Sequence, residues 1–293
     1  MAIQGGLGNQ LSQWYFAHAL SQKSHFRIDP LYKKTEIGLR NFELQPVIEN
    51  CSHVKSGTGQ KFLFPITKRY FRVLDRLWEV GALRVLVEGL GYFREDPRFD
   101  QSQSSKSSKS IKYAKGYFQK QAEIEKVFNS VEKELVPVLQ STLATLEKRI
   151  KLGLNYTVIH VRRGDYEATV LTPVIIGTLS DEYYTRALGE METSNVILLT
   201  ENREDAKELV KNLKPQLVLD KFDTTPWETL AIMYGASQFL GANSSLSWWG
   251  ARLCSANGGE VWLPSQWSYW KNIDPMDYHF NGAKIVNASW VQG

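Results

Sequence analysis

The sequence predicts an α/β protein whose C-terminal half forms a parallel β-sheet flanked by helices. From residue 156 onward, five strand-length apolar runs alternate with helix-length segments, an order typical of parallel sheets. The length of 293 residues is about twice that of a common domain. We therefore expect two domains, 1–152 and 153–293, with the option that the C-terminal tail returns to the first.

The second half is expected to form a Rossmann-type domain. Its apolar runs are YTVIHV, NVILLTEN, QLVLD, QFLGAN and EVWLP, and the helical segments between them are DEYYTRALGEM, REDAKELVKNL, PWETLAIMYGAS and SSLSWWGARLCS. Ligands of such domains bind beyond the carboxyl ends of the strands. The segments 160–165, 200–202 and 243–245 fall there, so we expect three strand ends to meet at one crevice.

The first half is expected to be a mixture of helix and loop. A glycine-rich turn precedes a helix that should begin close to Asn9, since Leu11, Trp14, Tyr15 and His18 share helical spacing. A longer helical stretch covers 123–151, with Pro137 expected to interrupt it. Residues 101–112 are rich in Ser and Lys and are expected to form an exposed loop.

Composition excludes several functional classes. Hydrophobic residues make up 43% and charged residues 23% of the chain, as in ordinary soluble proteins. The net charge of +4 is too mild to indicate a nucleic-acid binder. Cys51 and Cys254 form neither a disulfide framework nor a zinc motif, which fits a reducing compartment. We find no secretion signal and no apolar run of membrane-spanning length.

Arg162 and Arg163 follow the first apolar run of the second half directly. A guanidinium group keeps its charge and offers a planar fork of donors that matches phosphate oxygens. At the end of a buried strand the pair is expected to hold a diphosphate, whereas elsewhere it would be a solvated dibasic turn. The Arg163-Gly164-Asp165 tripeptide also spells an adhesion signal, but that interpretation needs an exposed extracellular loop.

His160 could donate a hydrogen bond to a ligand or orient the arginines from a half-buried position. The five histidines show no metal-binding spacing, and no two aspartates stand two positions apart. We therefore expect arginines, and no metal ion, to neutralise a leaving diphosphate.

The segment from Asn243 to Gly250 predicts a second anion-binding feature. Ser244 and Ser245 stand where a helix begins after a strand, and helix N-termini with hydroxyl groups favour phosphate. The alternative is simple N-capping, with Trp248 and Trp249 filling the core; the two roles are compatible.

Two other patterns leave two interpretations open. The Gly-rich segment 5–10 resembles a phosphate loop but lacks the Lys-Ser/Thr of a Walker sequence, so a plain turn is the alternative. Trp262, Trp267 and Trp270 could stack on a sugar or pack in the interior.

Together, HVRRGDY, GGLGNQL, GYFQ (116–119) and GANSSLSWWGARL (241–253) resemble motifs of the α-1,2-fucosyltransferases of glycosyltransferase family 11. The resemblance implies a GT-B fold, in which two Rossmann-like domains face each other across a cleft. It implies inverting, metal-independent transfer of L-fucose from GDP-fucose to the 2-hydroxyl of a terminal β-galactoside, with no cofactor.

The resemblance also implies roles for single residues. Arg162 would bind the β-phosphate, with support from Arg163, and Arg162, Asp165 and Asn9 would form the catalytic set. The remaining donor-binding positions would be His160 and Asp165 in the nucleotide site, Asn243, Ser244 and Ser245 at the phosphates, and Glu228 at the guanine. Asn9 would face the cleft near the sugar.

Ser12, the short first strand and the pair Thr200-Glu201 depart from the family pattern. The general base stays open among Asp165, Glu167 and Asp181. Alternatives are a fucosyltransferase of another linkage, a transferase of another GDP-sugar, and a non-catalytic carbohydrate-binding protein. We expect a cytoplasmic protein with no nucleic-acid partner. A lipid-linked glycan acceptor would bring it into peripheral contact with the inner face of the cytoplasmic membrane.

Overall fold

The computed structural model describes residues 2–21, 26–30, 41–49, 54–56, 64–94, 113–163, 176–269 and 277–291. The chain divides into two compact units, Met1–Gln119 and Lys120–Gly293. The sequence predicted the division after residue 152, whereas the helical segment before that point belongs to the second unit. The predicted Ser/Lys loop 101–112 lies outside the described residues.

The N-terminal unit contains two small parallel sheets. Its elements are β1 (Ala2–Ile3), α1 (Leu7–Ser21), β2 (Phe26–Pro30), α2 (Gln45–Ile48), β3 (Val54–Ser56), α3 (Phe64–Glu79), α4 (Gly81–Gly89), β4 (Tyr92–Arg94) and β5 (Tyr113–Lys115). Strands β1, β2 and β3 form one sheet in that order, and β4 pairs with β5. The sequence predicted mixed helix and loop here, but this unit is also α/β.

Helices α3 and α4 form a hairpin over a small core of their own. Leu74, Trp78, Val87 and Tyr92 are buried together in it. The polar edge of this core is tied by Asp75, which accepts a hydrogen bond from Tyr92 and pairs with Lys115. The hairpin is thus anchored to both strands of the second sheet.

The C-terminal unit is built on one six-stranded parallel sheet. Its elements are α5 (Gln121–Glu125), α6 (Phe128–Glu147), β6 (Thr157–Val161), α7 (Asp181–Leu188), β7 (Val196–Thr200), a 3₁₀ helix (Arg203–Ala206), α8 (Lys207–Leu213), β8 (Leu217–Leu219), α9 (Pro226–Tyr234), β9 (Gln238–Leu240), α10 (Ser245–Ala256), β10 (Glu260–Pro264) and β11 (Ala283–Val286). The strand order is β11-β10-β9-β6-β7-β8. All five residues of β6 are buried, as expected for a central strand covered on both faces. The predicted Rossmann-type alternation is confirmed here.

Pro137 does not interrupt its helix, so that prediction was wrong. It lies inside α6, which is continuous from Phe128 to Glu147. A proline removes one backbone hydrogen bond, but α6 buries Val131, Leu135, Leu139 and Leu146 along one side. Tertiary packing of an apolar face outweighs the local cost of the proline.

The described C-terminal segment belongs to the second unit. Strand β11 extends the six-stranded sheet beside β10, and Trp290 forms an isolated antiparallel bridge with Leu179. Among the described residues, no helix is long and apolar enough to cross a membrane.

Candidate functional site

The order of the large sheet creates a switch point between β6 and β9. From β6 the chain adds β7 and β8 on one side, then returns to add β9, β10 and β11 on the other. Ile159 and Leu240 are register partners on the two central strands, so the residues that follow them lie at neighbouring strand ends. Crevices at such switch points are where open α/β sheets bind their ligands.

Arg162 lies at this switch point in an ion pair. Its Nη1 atom is 2.8 Å from Oε2 of Glu201, and the side chains are 19% and 12% exposed. Glu201 directly follows β7, the strand beside β6. The pair fixes a guanidinium group at the carboxyl edge of the sheet, and it combines two charges in a site with little access to water.

Arg163 makes a different set of contacts, with residues of three neighbouring segments. Its guanidinium group donates to the carbonyl oxygens of Asp205 (2.7 Å) and Leu179 (3.2 Å) and pairs with the carboxylate of Asp181. It therefore ties β6 to the 3₁₀ helix and to the start of α7. This geometry suits a residue that supports its neighbour; its contact with a nucleotide stays a prediction.

His160 is buried and uncharged at neutral pH. Burial and, to a smaller extent, the positive charge of Arg162 lower its pKa to about 3, although Glu201 opposes the shift. Among the described residues, its Nδ1 atom is buried without a hydrogen-bond partner. Buried polar atoms are normally satisfied, so this nitrogen is available to a donor or acceptor that enters the switch point.

The start of α10 supplies the second half of the switch point. Ser244 is the N-cap, and its hydroxyl accepts a hydrogen bond from the Ser247 amide (3.1 Å). Ser247 in turn accepts from the Ala242 amide (2.7 Å). Ser245 is the first helical residue and is half-buried. This geometry therefore allows both predicted roles of the segment, N-capping and anion binding, because the first-turn amides of a helix favour an anion.

Asn243 is completely buried and organises the loops around the switch point. Its Nδ2 atom donates to the carbonyl oxygen of Gly177 at 3.0 Å. The hydroxyl of Tyr183, on α7, donates to the carbonyl oxygen of Gly241 at 2.7 Å. These contacts hold the turn between β9 and α10 in place, while the predicted nucleotide contact of Asn243 stays a prediction.

Glu228 lies in the first turn of α9, after β8. Its carboxylate accepts from the amide of Thr225 (2.8 Å) and from Arg149 (2.7 Å), and Thr225 caps the helix in return. Partial burial would raise its pKa, but the hydrogen bonds from Thr225 and Arg149 outweigh burial and lower it. The predicted guanine contact stays a prediction, and Glu228 is an ionised group beside the carboxyl end of β8.

The loop after β8 holds a residue that the sequence did not single out. Phe222 is 86% exposed, although its backbone is fixed by a hydrogen bond to Asp220 (2.8 Å). Arg149 links this loop to Glu228 by donating to the carbonyl oxygen of Asp223 at 2.8 Å. An aromatic ring is therefore held in solvent by a well-bonded loop at the carboxyl edge of the sheet.

Asn9, in the N-terminal unit, lies inside α1, which begins at Leu7, two residues before the predicted start. Its Oδ1 atom accepts from Gln119 at 2.6 Å. Gly5 has a φ of +84°, and a Cβ there would stand 2.5 Å from Nδ2 of Asn9. The glycine-rich segment is thus a tight turn against which Asn9 packs; its place near a sugar stays a prediction.

Gln10, the last residue of the glycine-rich segment, and Gln13, which the sequence did not single out, form a buried network. Gln10 donates to the carbonyl oxygens of Gly5 (2.9 Å) and Asn41 (2.8 Å), and Gln13 donates to that of Gly116 (2.9 Å). Both side chains are 2% exposed or less. The network ties the start of α1 to the ends of distant segments in this unit.

The other predicted residues are packed in the interior or lie outside the described residues. Trp262 is 1% and Trp267 is 7% exposed, which favours packing over sugar stacking for both. Asp165, Glu167 and Trp270 lie outside the described residues. Within the described part of the chain, no group of three or more His, Cys, Asp or Glu side chains is placed to hold a metal ion.

Known proteins resemble this chain over nearly its whole length. The Escherichia coli alpha-1,2-colitosyltransferase is 23% identical over an alignment of 303 positions, gaps included, and the alignment covers 94% of each chain. The O-antigen biosynthesis glycosyltransferase WbnK, also of Escherichia coli, is 23% identical over 310 residues, 99% of this chain and 98% of its own.

Among solved structures, Escherichia coli heptosyltransferase WaaC with ADP covers 98% of this chain and 92% of its own, with a TM-score of 0.50 and 13% identity. At this identity the likeness concerns the fold alone, and it confirms the predicted GT-B class.

The sequence of residues 92–269 matches glycosyl transferase family 11. The match covers more than half of the chain and contains both arginines, Glu201, Glu228 and the start of α10. This chain belongs to glycosyl transferase family 11 and is a glycosyltransferase.

Proposed function

We propose that the protein transfers L-fucose from GDP-fucose to the 2-hydroxyl of a terminal β-galactoside, with inversion and without a metal ion. The observation that carries the proposal is that Arg162 and the start of α10 follow neighbouring strands, β6 and β9, at the same edge of the sheet. A permanent cation and the positive end of a helix at one switch point suit a nucleoside diphosphate.

The diphosphate would lie between these two groups. Arg162 would donate to the β-phosphate, and the amides and hydroxyl at Ser245 would receive the other oxygens. Glu201 would then share its arginine with the diphosphate. His160, neutral at working pH, would offer one ring nitrogen as a hydrogen-bond partner without adding charge.

The nucleobase would extend toward β8. Strands of a sheet are about 4.8 Å apart, so β8 lies about 10 Å from β6. That distance suits the separation of base from diphosphate in an extended nucleotide. Phe222 would stack on the base, and the carboxylate of Glu228 would accept from its polar edge.

The reaction would be a single displacement. An acceptor hydroxyl oxygen forms a bond to the anomeric carbon while the bond from that carbon to the GDP oxygen breaks. The electron pair leaves with GDP, whose added negative charge Arg162 and the start of α10 stabilise. The hydroxyl proton passes to a carboxylate. Asp181 is bound to Arg163, which favours Asp165 or Glu167 as that base.

A second candidate donor follows from one relative. The alpha-1,2-colitosyltransferase of Escherichia coli aligns with 94% of this chain, and colitose lacks only the 3-hydroxyl of L-fucose. GDP-colitose is therefore the alternative donor. The name of WbnK supports a glycan of the O-antigen kind as acceptor.

The experiment is incubation with GDP-fucose or GDP-colitose and a panel of β-galactosides, followed by linkage analysis. We expect an α-1,2-fucosylated product, in the presence of EDTA as well as in its absence. Preference for GDP-colitose would change the donor, another linkage would change the acceptor position, and loss of activity in EDTA would overturn the metal-free mechanism. Failure of GDP itself to bind would reject the whole site and would favour a carbohydrate-binding role.

A further inference from the structure

The hairpin of α3 and α4 exposes a concentration of apolar side chains. Among the described residues, eleven large apolar side chains are exposed, and five of them lie within residues 73–90. They are Val73 (54%), Val80 (52%), Val85 (76%), Leu86 (61%) and Leu90 (51%). Exposed apolar side chains that are concentrated in one segment mark an interaction site more often than scattered ones do.

Helical spacing combines these side chains with arginines. In α3, Leu74 and Trp78 face the small core, whereas Arg72 and Arg76 are exposed. Val73 and Arg76 are three residues apart and Arg72 and Arg76 are four apart, which in a helix places each pair on the same side, whereas Val80 follows the end of α3 with an extended backbone. The exposed face of α3 is therefore aliphatic and cationic together.

The charge balance of the hairpin is positive. Residues 64–89 contain five basic and three acidic residues, a net charge of +2, compared with +4 for the whole chain. The three carboxylates already have basic partners: Asp75 pairs with Lys115, Glu79 with Arg94, and Glu88 with Arg84. In the part of the chain that the structure describes, no carboxylate pairs with Arg72 or Arg76.

We infer that the exposed surface of the α3–α4 hairpin docks on an anionic lipid bilayer. The hairpin surface, defined as Arg72, Val73, Arg76, Val80, Val85, Leu86 and Leu90, has the two features of an interfacial helix. Its aliphatic groups can enter the boundary between headgroups and acyl chains, while its arginines reach the lipid phosphates. A second copy of the same surface would bring like charges together, so charge complementarity selects the bilayer. The inference is independent of the donor and acceptor proposed above.

Co-sedimentation of the full chain with vesicles tests the inference. We expect binding to vesicles of phosphatidylcholine with about one-third phosphatidylglycerol, and at least tenfold weaker binding to phosphatidylcholine alone, because each basic residue near an anionic surface contributes severalfold. Val85→Asp with Leu86→Asp should reduce binding at least tenfold. Arg72→Glu with Arg76→Glu should do the same, and salt should weaken the wild type.

Matched variants on the other unit control for general effects. Leu154 is 87% exposed, so Leu154→Asp tests an added charge at another exposed apolar residue. Lys207→Glu with Lys211→Glu changes the net charge as much as the arginine double variant does, at two exposed lysines of α8. Both control proteins should bind as the wild type does. Equal binding to neutral vesicles, or wild-type binding by the hairpin variants, would overturn the inference. A dimer that the Val85/Leu86 variant dissociates, with no vesicle binding, would assign the surface to a second copy instead.

Discussion

Arg162 and Glu201 form an ion pair of 2.8 Å at the carboxyl ends of the adjacent strands β6 and β7. The pair joins the group that we propose as the diphosphate ligand to a carboxylate that must share it. Two opposite charges in a site of low exposure interact strongly, so each partner sets how much charge the other presents to an incoming anion.

Replacement of the cation should abolish most turnover. We expect Arg162→Ala to lower kcat by about 100- to 1000-fold, the effect of removing one preorganised donor from a developing negative charge. Initial rates at saturating donor measure this. Arg186→Ala, at an arginine of α7 that is 38% exposed, should retain wild-type rates. Activity of Arg162→Ala within a few fold of the wild type would reject the assignment of the leaving-group contact.

Replacement of the Glu201 carboxylate should strengthen the binding of the product nucleotide, GDP. Glu201→Gln keeps the shape of the side chain and removes the charge that partly cancels Arg162. We expect GDP to bind about tenfold more tightly, equal to about 1.4 kcal/mol, as measured by isothermal titration calorimetry. Weaker binding would mean that Glu201 mainly holds the guanidinium group in position.

Arg163 should matter for stability more than for chemistry. Its side chain is 12% exposed, and its loss would leave Asp181 and two backbone carbonyl groups without this donor. We expect Arg163→Ala to lower the free energy of unfolding by about 2–4 kcal/mol, as for other partly buried ion pairs that lose one partner. Chemical denaturation measures it, and Lys207→Ala, at an exposed lysine, should stay within about 0.5 kcal/mol of the wild type.

The sequence predicted those parts of the fold whose elements have strong local patterns. Each strand from β6 to β10 is an apolar run between turn residues, and the Ser244 region carries the residue types of a helix start. The position of Arg162 follows from the same pattern, because the end of a parallel strand fixes the edge of the sheet where it lies.

What the sequence missed depends on contacts between distant residues. Strands β3, β4 and β5 have three residues each, too few to show a period. The continuity of α6 through Pro137 is decided by packing, as is the burial of Gln10. The ion pair of Glu201 with Arg162 depends on the register in which β6 and β7 are paired. The exposure of Phe222 depends on how the side chains around it pack.

Acidification should destabilise the protein through His160. Its folded pKa of about 3 lies below the value of about 6.5 for an unfolded histidine. Between these values the unfolded chain binds a proton that the folded chain does not, so stability that is complete above pH 6.5 is lost as the pH falls toward 3. Asparagine does not titrate in this range, so the unfolded His160→Asn variant takes up no proton at this position. In urea unfolding, the loss of stability between pH 7 and pH 5 should be smaller in the variant by about 2 kcal/mol. Equal losses in both proteins would show that His160 is protonated in the folded state.

Phe222 should affect nucleotide binding and leave diphosphate binding unchanged. Stacking of a base on an aromatic ring contributes about 1–3 kcal/mol, so Phe222→Ala should weaken GDP binding about 5- to 150-fold. Inorganic pyrophosphate has no base and should compete with the donor equally well in both proteins. Leu154→Ala is the matched control, because Leu154 is equally exposed but precedes β6 at the opposite edge of the sheet. If Phe222→Ala binds GDP as the wild type does, the base lies elsewhere. If the binding of pyrophosphate weakens as much as that of GDP, the substitution has disturbed the switch point itself.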